Sequence, residues 1–189
     1  QAADEEAELA RWFGPRVVIG GTAVGGRARL WTPFDTDERG VTRFWIHDLC
    51  MTPRQAGRLV QRLLEIHDYT LMAMLGLPAA REIMPPIAAV EEALVEIADR
   101  LTAELPVAEE QELLGSLSRL AAAVEALEAR APFRFNAARA YYAIAMRRVQ
   151  EIREQRIEGQ QAIGNFLERR LTPALRTVEA TQSRQIGRA

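Results

Sequence analysis

Residues 43–66 read RFWIHDLCMTPRQAGRLVQRLLEI, and the hydrophobic period changes inside this stretch. Thr42-Arg43-Phe44-Trp45-Ile46 alternates as a strand does. From Thr52 the repeat is helical. Thr52-Pro53-Arg54-Gln55 is a helix start: the Thr52 hydroxyl accepts the Gln55 backbone N–H, the Gln55 side chain reaches back, and Pro53 sits where a missing N–H costs nothing. Ala56, Leu59, Val60, Leu63, Leu64, Ile66, Met72, Met74 and Leu75 then supply a wide apolar face to about Leu77. Strand texture before this point and helical texture after it predict an α+β fold, predominantly α-helical.

Working back toward the N-terminus, Gln1–Ala10 is acidic and Ala-rich, a short helical lead-in. Pro15–Val18, Thr22–Val24, Ala28–Phe34 and Val41–His47 are rich in Val, Ile, Trp and Phe, with Gly20-Gly21, Gly25-Gly26 and Asp35–Gly40 between them. Short β-rich runs between such breakers predict a small antiparallel β-meander near the N-terminus. Two or three strands need a helix over one face, or further strands, to be stable.

Working forward, Pro78 is expected to break or kink the first helix. A second helix is expected from about Ala79–Pro86 to Leu105, and a tight turn at Leu105-Pro106-Val107 leads to a third over 108–129. Ala131-Pro132-Phe133 precedes a fourth over 136–157, and a last long helix runs from Asn165 with Pro173 inside it. That makes about five helices after the meander. Along the chain the segments are 1–50, the meander with its lead-in; 51–132, helices with an acidic antiparallel hairpin; and 133–189, Arg-rich C-terminal helices.

The chain has 189 residues and a formal net charge of −2, and all 24 of its basic residues are Arg. This balance argues against a nucleic-acid partner. The near-neutral total is split along the chain. Glu82–Glu128 holds eleven acids and two arginines, whereas Arg134 to the end holds eleven arginines and five glutamates. The acidic hairpin makes Glu91, Glu92, Glu96, Asp99, Glu109 and Glu110 candidates for a divalent cation, since hard cations prefer oxygen ligands. The arginines nominate an anion or partner surface: Arg54, Arg58 and Arg62 at four-residue spacing on one helix stripe, with Arg147, Arg148, Arg169 and Arg170 further on. Salt bridging is the ordinary explanation of such a stripe, with Glu65 for Arg62 and the Asp35–Glu38 loop for the rest.

Enzymatic signatures are weak. Gly21–Ala28 has the glycine spacing of a phosphate loop, but Arg27 and Ala28 stand where Lys and Ser or Thr are needed, so it reads as a hairpin turn. His47, Cys50 and His67, with Asp48 or Asp68, are spaced poorly for zinc, and Cys50 reads as a small hydrophobe. A lone cysteine excludes an internal disulfide. Tyr141 and Tyr142 read as helix packing. No cofactor is expected, and no catalytic set is present, so the chain reads as non-catalytic.

Five strings are familiar together: ARLWTPF at 28–34, GVTRF at 40–44, LCMTPRQAGRLVQRLLE at 49–65, FRFNAARAYY at 133–142 and FLERRLTPALRTVE at 166–179. In this order they resemble domain of unknown function 3422, an uncharacterised bacterial family of predicted membrane-anchored proteins. The resemblance implies a soluble fragment of a longer protein, with sequence before it and a last helix continuing toward transmembrane helices. It implies a parent at the inner membrane with this domain cytoplasmic. The expected role is an oligomerisation or interaction scaffold, self-associating through the C-terminal helices, coiled-coil fashion. One alternative, by fold-level analogy, is the cation-sensing cytoplasmic domain of a CorA-like transporter; another is a metal-dependent enzyme using His47 or His67.

Overall fold

The computed structural model describes residues 2–101, 106–130 and 132–186. Leu105 in the expected turn, Ala131 in the expected break and the Arg188-Ala189 end lie outside the described residues. The elements in order are α1 (Ala2–Phe13), β1 (Ile19–Ala23), β2 (Ala28–Thr32), β3 (Trp45–Asp48), α2 (Pro53–Met74), α3 (Gly76–Leu101), α4 (Val107–Arg130), α5 (Pro132–Glu151) and α6 (Ile163–Ile186). The fold is therefore α+β and mostly helical, with an antiparallel sheet ordered β1-β2-β3 near the N-terminus and five helices after it.

Contacts divide the chain into two compact units. Unit 1 is Gln1–Leu71 with Tyr141–Thr172, and unit 2 is Met72–Ala140 with Pro173–Ala189. Both units therefore combine stretches that are distant in sequence.

In unit 1 the sheet is smaller than the β-rich texture suggests. Pro15–Val18 and Val41–Phe44 lie outside its strands. Gly20 and Gly21, expected as punctuation, are inside β1. Gly20 has φ +155°, and a Cβ there would collide with the Leu30 carbonyl oxygen on β2. A Cβ on Gly21 would come 2.5 Å from the carbonyl oxygen of Gln155. Glycine is used here for close backbone approach on both sides of one strand. The Gly21–Ala28 stretch forms the β1–β2 hairpin, as its departures from the phosphate-loop pattern implied.

The outer edge of β1 is covered by the segment after α5. Gly20 N donates to Gln161 O at 2.9 Å, Thr22 and Gln155 exchange backbone bonds at 3.1 and 2.8 Å, and Val24 N donates to Ile152 O at 2.8 Å. This explains why α5 stops at Glu151 instead of near Ile157: the next residues satisfy a strand edge that would otherwise be open. Glu154 holds the same segment to α6, accepting the Ile163 N–H at 2.8 Å and the Gly164 N–H at 3.2 Å. Burial pushes the Glu154 carboxyl above its usual range, and the two backbone donors offset this only in part.

The predicted start of α2 is present. Gln55 N donates to Thr52 Oγ1 at 3.3 Å, and Thr52 N donates to Gln55 Oε1 at 2.9 Å. The single wide apolar face read from the sequence resolves into two. Leu59, Leu63, Ile66 and Thr70 are buried, whereas Val60, Leu64 and Leu71 on a flank of the helix are 46%, 53% and 49% exposed.

In unit 2, Ala79, Ala80, Ile83, Ile87, Phe135 and Val178 form a hydrophobic cluster. A Cβ on Gly76 would lie 2.7 Å from the Ala138 Cβ, so α3 and α5 approach closely there. Pro78 falls in the first turn of α3, where it is tolerated. Pro85 and Pro86 lie within α3. Both are exposed, as are Arg81 and Glu82, whose carbonyls lose their helical donors. Water on that face can satisfy them. α3 and α4 pack as the acidic hairpin, with Arg100 and Glu109 3.9 Å apart near their joined ends.

Candidate functional site

α2 and α5 meet in unit 1 through a closed ring of two arginines and two glutamates. Arg62 Nη1 lies 2.9 Å from Glu65 Oε2, and Arg62 Nε lies 2.5 Å from Glu151 Oε2. Arg148 Nε lies 2.5 Å from Glu65 Oε2, and Arg148 Nη1 lies 2.8 Å from Glu151 Oε1. Burial raises the Glu65 carboxyl, but hydrogen bonds from Gln61 and Arg62 and the charges of Arg148 and Arg62 outweigh it, leaving Glu65 below its usual range. Burial works against the charge of Arg148 too, and its two glutamates more than restore it. The sequence pointed to the Arg62–Glu65 pair; Arg148 and Glu151 complete it across helices.

Beside this ring a groove of about 570 Å³ is lined by Arg58 and Arg62 of α2, Arg147 and Glu151 of α5, and Val24 and Arg153 of the adjoining loops. Four arginines face one carboxylate. Glu151 is already held by Arg62 and Arg148. Among the described residues no carboxylate pairs with Arg58, Arg147 or Arg153. The Asp35–Glu38 loop does not supply partners for the stripe: Asp35 pairs with Arg16 and Asp37 with Arg43.

Two lining residues have left-handed backbone. Val24 has φ +55° and Arg153 has φ +50°. Such geometry costs a non-glycine residue about 1–3 kcal/mol, and a β-branched side chain makes it worse. Arg153 stands just past the end of α5, donating its N–H to Gln150 O at 3.1 Å, where glycine is the usual residue.

The other arginine candidates disperse. Arg54 is exposed at the start of α2. Arg169 lines a second concavity with Arg156. Arg170 lies 5.8 Å over the Phe166 ring. On α3, Glu91, Glu92, Glu96 and Asp99 share a shallow surface concavity with Val95, while Glu109 faces Arg100 and Glu110 is exposed in the first turn of α4.

The residues weighed for zinc do not converge. His47 is exposed on β3, with its ring 5.5 Å from Trp45. His67 Nε2 and Thr42 Oγ1 share a hydrogen bond of 2.9 Å, and the ring packs near Phe34 and Phe44. Cys50 is exposed, not packed as a small hydrophobe. Among the described residues no three His, Cys, Asp or Glu side chains come together to hold a metal ion. Tyr141 stacks on Tyr69 with ring centres 5.8 Å apart, a packing role.

The family model described as "Protein of unknown function (DUF3422)" matches residues 1–187. The chain belongs to this family. No curated protein and no solved structure matches it. In this DUF3422 chain, no helix among the described residues is long and apolar enough to cross a membrane.

Sequence reasoning missed Arg153, Val24 and Glu151 as parts of the arginine groove. Periodicity places Arg153 inside a helix extended to Ile157. Only the return of 152–161 to β1 brings it beside Arg58 and Arg147.

Proposed function

We propose that this chain is a non-catalytic interaction scaffold that self-associates through the outward face of α2, within a membrane-anchored parent. One observation carries the reading: Val60, Leu64 and Leu71 are about half exposed on a flank of α2, turned roughly 110° from its buried residues. With Gly57 they fall within about 60° of arc on an ideal helix. A continuous apolar stripe left in water favours a protein partner. Gly57 adds to it. A Cβ there would meet nothing within 4 Å, so the fold does not require glycine. A glycine inside a helix nevertheless costs about 1 kcal/mol relative to alanine.

The occupant favoured is a second copy of the chain. Arg54 and Asp68 both border the polar edge of the stripe, so this surface carries charges of both signs that a second copy can complement. The C-terminal helices expected from sequence to carry self-association remain the alternative route, with Phe133 of α5 exposed. In α6, Ile163, Leu167, Leu171, Leu175 and Val178 are buried, and no large apolar side chain is exposed among its described residues. Multi-angle light scattering is expected to report a dimer that Leu64→Glu converts to monomer with unchanged helicity. A wild-type monomer at every concentration, or a dimer indifferent to the substitution, ends this reading. The inner-membrane parent with a cytoplasmic domain rests on the family resemblance, and fractionation of cells making the full-length protein tests it.

A second reading is cation sensing by a CorA-like domain: Glu91, Glu92, Glu96 and Asp99 line one concavity, although among the described residues no three carboxylates come together to hold a metal ion. Magnesium raising the melting temperature, and Glu92→Gln with Glu96→Gln abolishing that rise, would favour it. No response to magnesium counts against it.

A further inference from the structure

The groove beside the Arg62–Glu65–Arg148–Glu151 ring has features that the self-association reading does not use. We propose that it is a binding site for a compact phosphate-bearing anion, held by Arg58, Arg147 and Arg153.

Three observations converge on it. The first is charge: Arg58, Arg147 and Arg153 line one concavity and, among the described residues, none has a carboxylate partner. Like charges gathered without counter-charges repel, and an anion between them removes that cost. The second is rigidity. Arg62 and Arg148 hold both lining carboxylate-bearing helices in register, so Glu151 is occupied and does not neutralise the groove. The third is backbone geometry. Val24 and Arg153 both carry positive φ, and Val24 N is hydrogen-bonded at 2.8 Å to the residue preceding Arg153. Glycine would relieve Arg153 at the end of α5. An arginine kept there extends a guanidinium at the groove from a position fixed by the helix end.

Chemistry narrows the ligand. Planar guanidinium groups match phosphate oxygens in bidentate fashion. The volume of about 570 Å³ suits a small molecule or a lipid headgroup. Among the described residues no aromatic side chain lines the groove, so none of them offers a surface to stack a nucleobase. The remaining surface is the apolar edge of Leu59 and Ile152 and the amides of Gln55 and Gln150.

Inorganic pyrophosphate is the probe. Isothermal titration at fixed ionic strength is expected to show saturable binding, weakened about tenfold or more by Arg147→Ala and by Arg153→Gly. Arg153→Gly separates this from a structural role, because glycine at that backbone position preserves or raises the melting temperature while removing the guanidinium. Vesicles containing phosphatidic acid form the second arm. Arginine-dependent binding to vesicles without pyrophosphate binding assigns the same phosphate chemistry to a headgroup. Citrate competing as well as pyrophosphate would overturn the preference for phosphate. Binding to neither probe above the level of added sodium chloride, or Arg153→Gly binding as tightly as wild type, would overturn the site. Leu64→Glu lies outside the groove and keeps the pyrophosphate affinity, so this result stands or falls apart from self-association.

Discussion

Unit 1 adds directional polar contacts to an apolar core that includes Ile19, Leu30, Leu63 and Leu167, whereas the packing among the described residues of unit 2 is a matter of shape. In unit 1 the sheet edge, the Arg–Glu ring and the Glu154 cap each fix a geometry through polar atoms. Glu5 adds another, pairing with Arg29 and accepting the Trp31 Nε1–H at 2.7 Å. Unit 2 relies on alanines, isoleucines, Phe135 and the close approach at Gly76. Polar geometry makes unit 1 sensitive to charge and pH. Small-residue packing makes unit 2 sensitive to volume. Trp12, Trp31 and Trp45 all belong to unit 1, so tryptophan emission follows that unit alone.

The sharpest way to break the contrast is Gly20→Ala. Its Cβ meets backbone, which cannot swing aside, and the expected loss is about 4 kcal/mol or more. Near-ultraviolet circular dichroism and tryptophan emission are expected to lose the native sheet signal. A native-like variant would show that β1 need not pass so close to Leu30.

Phe135→Ala attacks unit 2. Phe135 is fully buried in the unit 2 cluster, and its truncation is expected to cost about 3–5 kcal/mol. Far-ultraviolet circular dichroism should shift to lower temperature by more than tryptophan emission does. Equal shifts would show that the two units melt as one.

Glu65→Gln is the mildest of the three, about 1 kcal/mol after solvent screening. The folded carboxyl titrates below its ordinary value, so its contribution is present above the ordinary carboxylate range and lost as pH falls through the lowered value. Acid unfolding of unit 1 followed by tryptophan emission should therefore be less steep in the variant. Glu154 acts with the opposite sign: its raised value lowers stability as pH climbs from the ordinary range through that value. An unchanged acid limb in Glu65→Gln would assign acid sensitivity elsewhere in unit 1.

Much of the fold is legible from local signals. The Thr52–Gln55 box, the hairpin between β1 and β2 and the order of helices depend on residues within a few positions of each other. Arg58, Arg62 and Arg147 are likewise visible as basic positions in a sequence with no lysine. The groove itself is not legible, because Arg153 reaches it only when residues 152–161 leave the helical path and cover β1. The split of the α2 apolar face is also hidden, since a helical repeat records that positions are apolar without recording which neighbours arrive to bury them.

Sequence alone thus determined an α+β, mostly helical fold, because caps, breakers and periodicity act over short range, while the DUF3422 family rests on the likeness of whole strings in order. Only tertiary structure decided which apolar side of α2 stays in water, why Gly20 and Gly21 must be glycine, and which arginines end beside one another unpaired. Those outcomes depend on surfaces meeting between segments distant in sequence, as where Gly21 meets Gln155 and Arg58 comes beside Arg153, and no local propensity encodes that meeting.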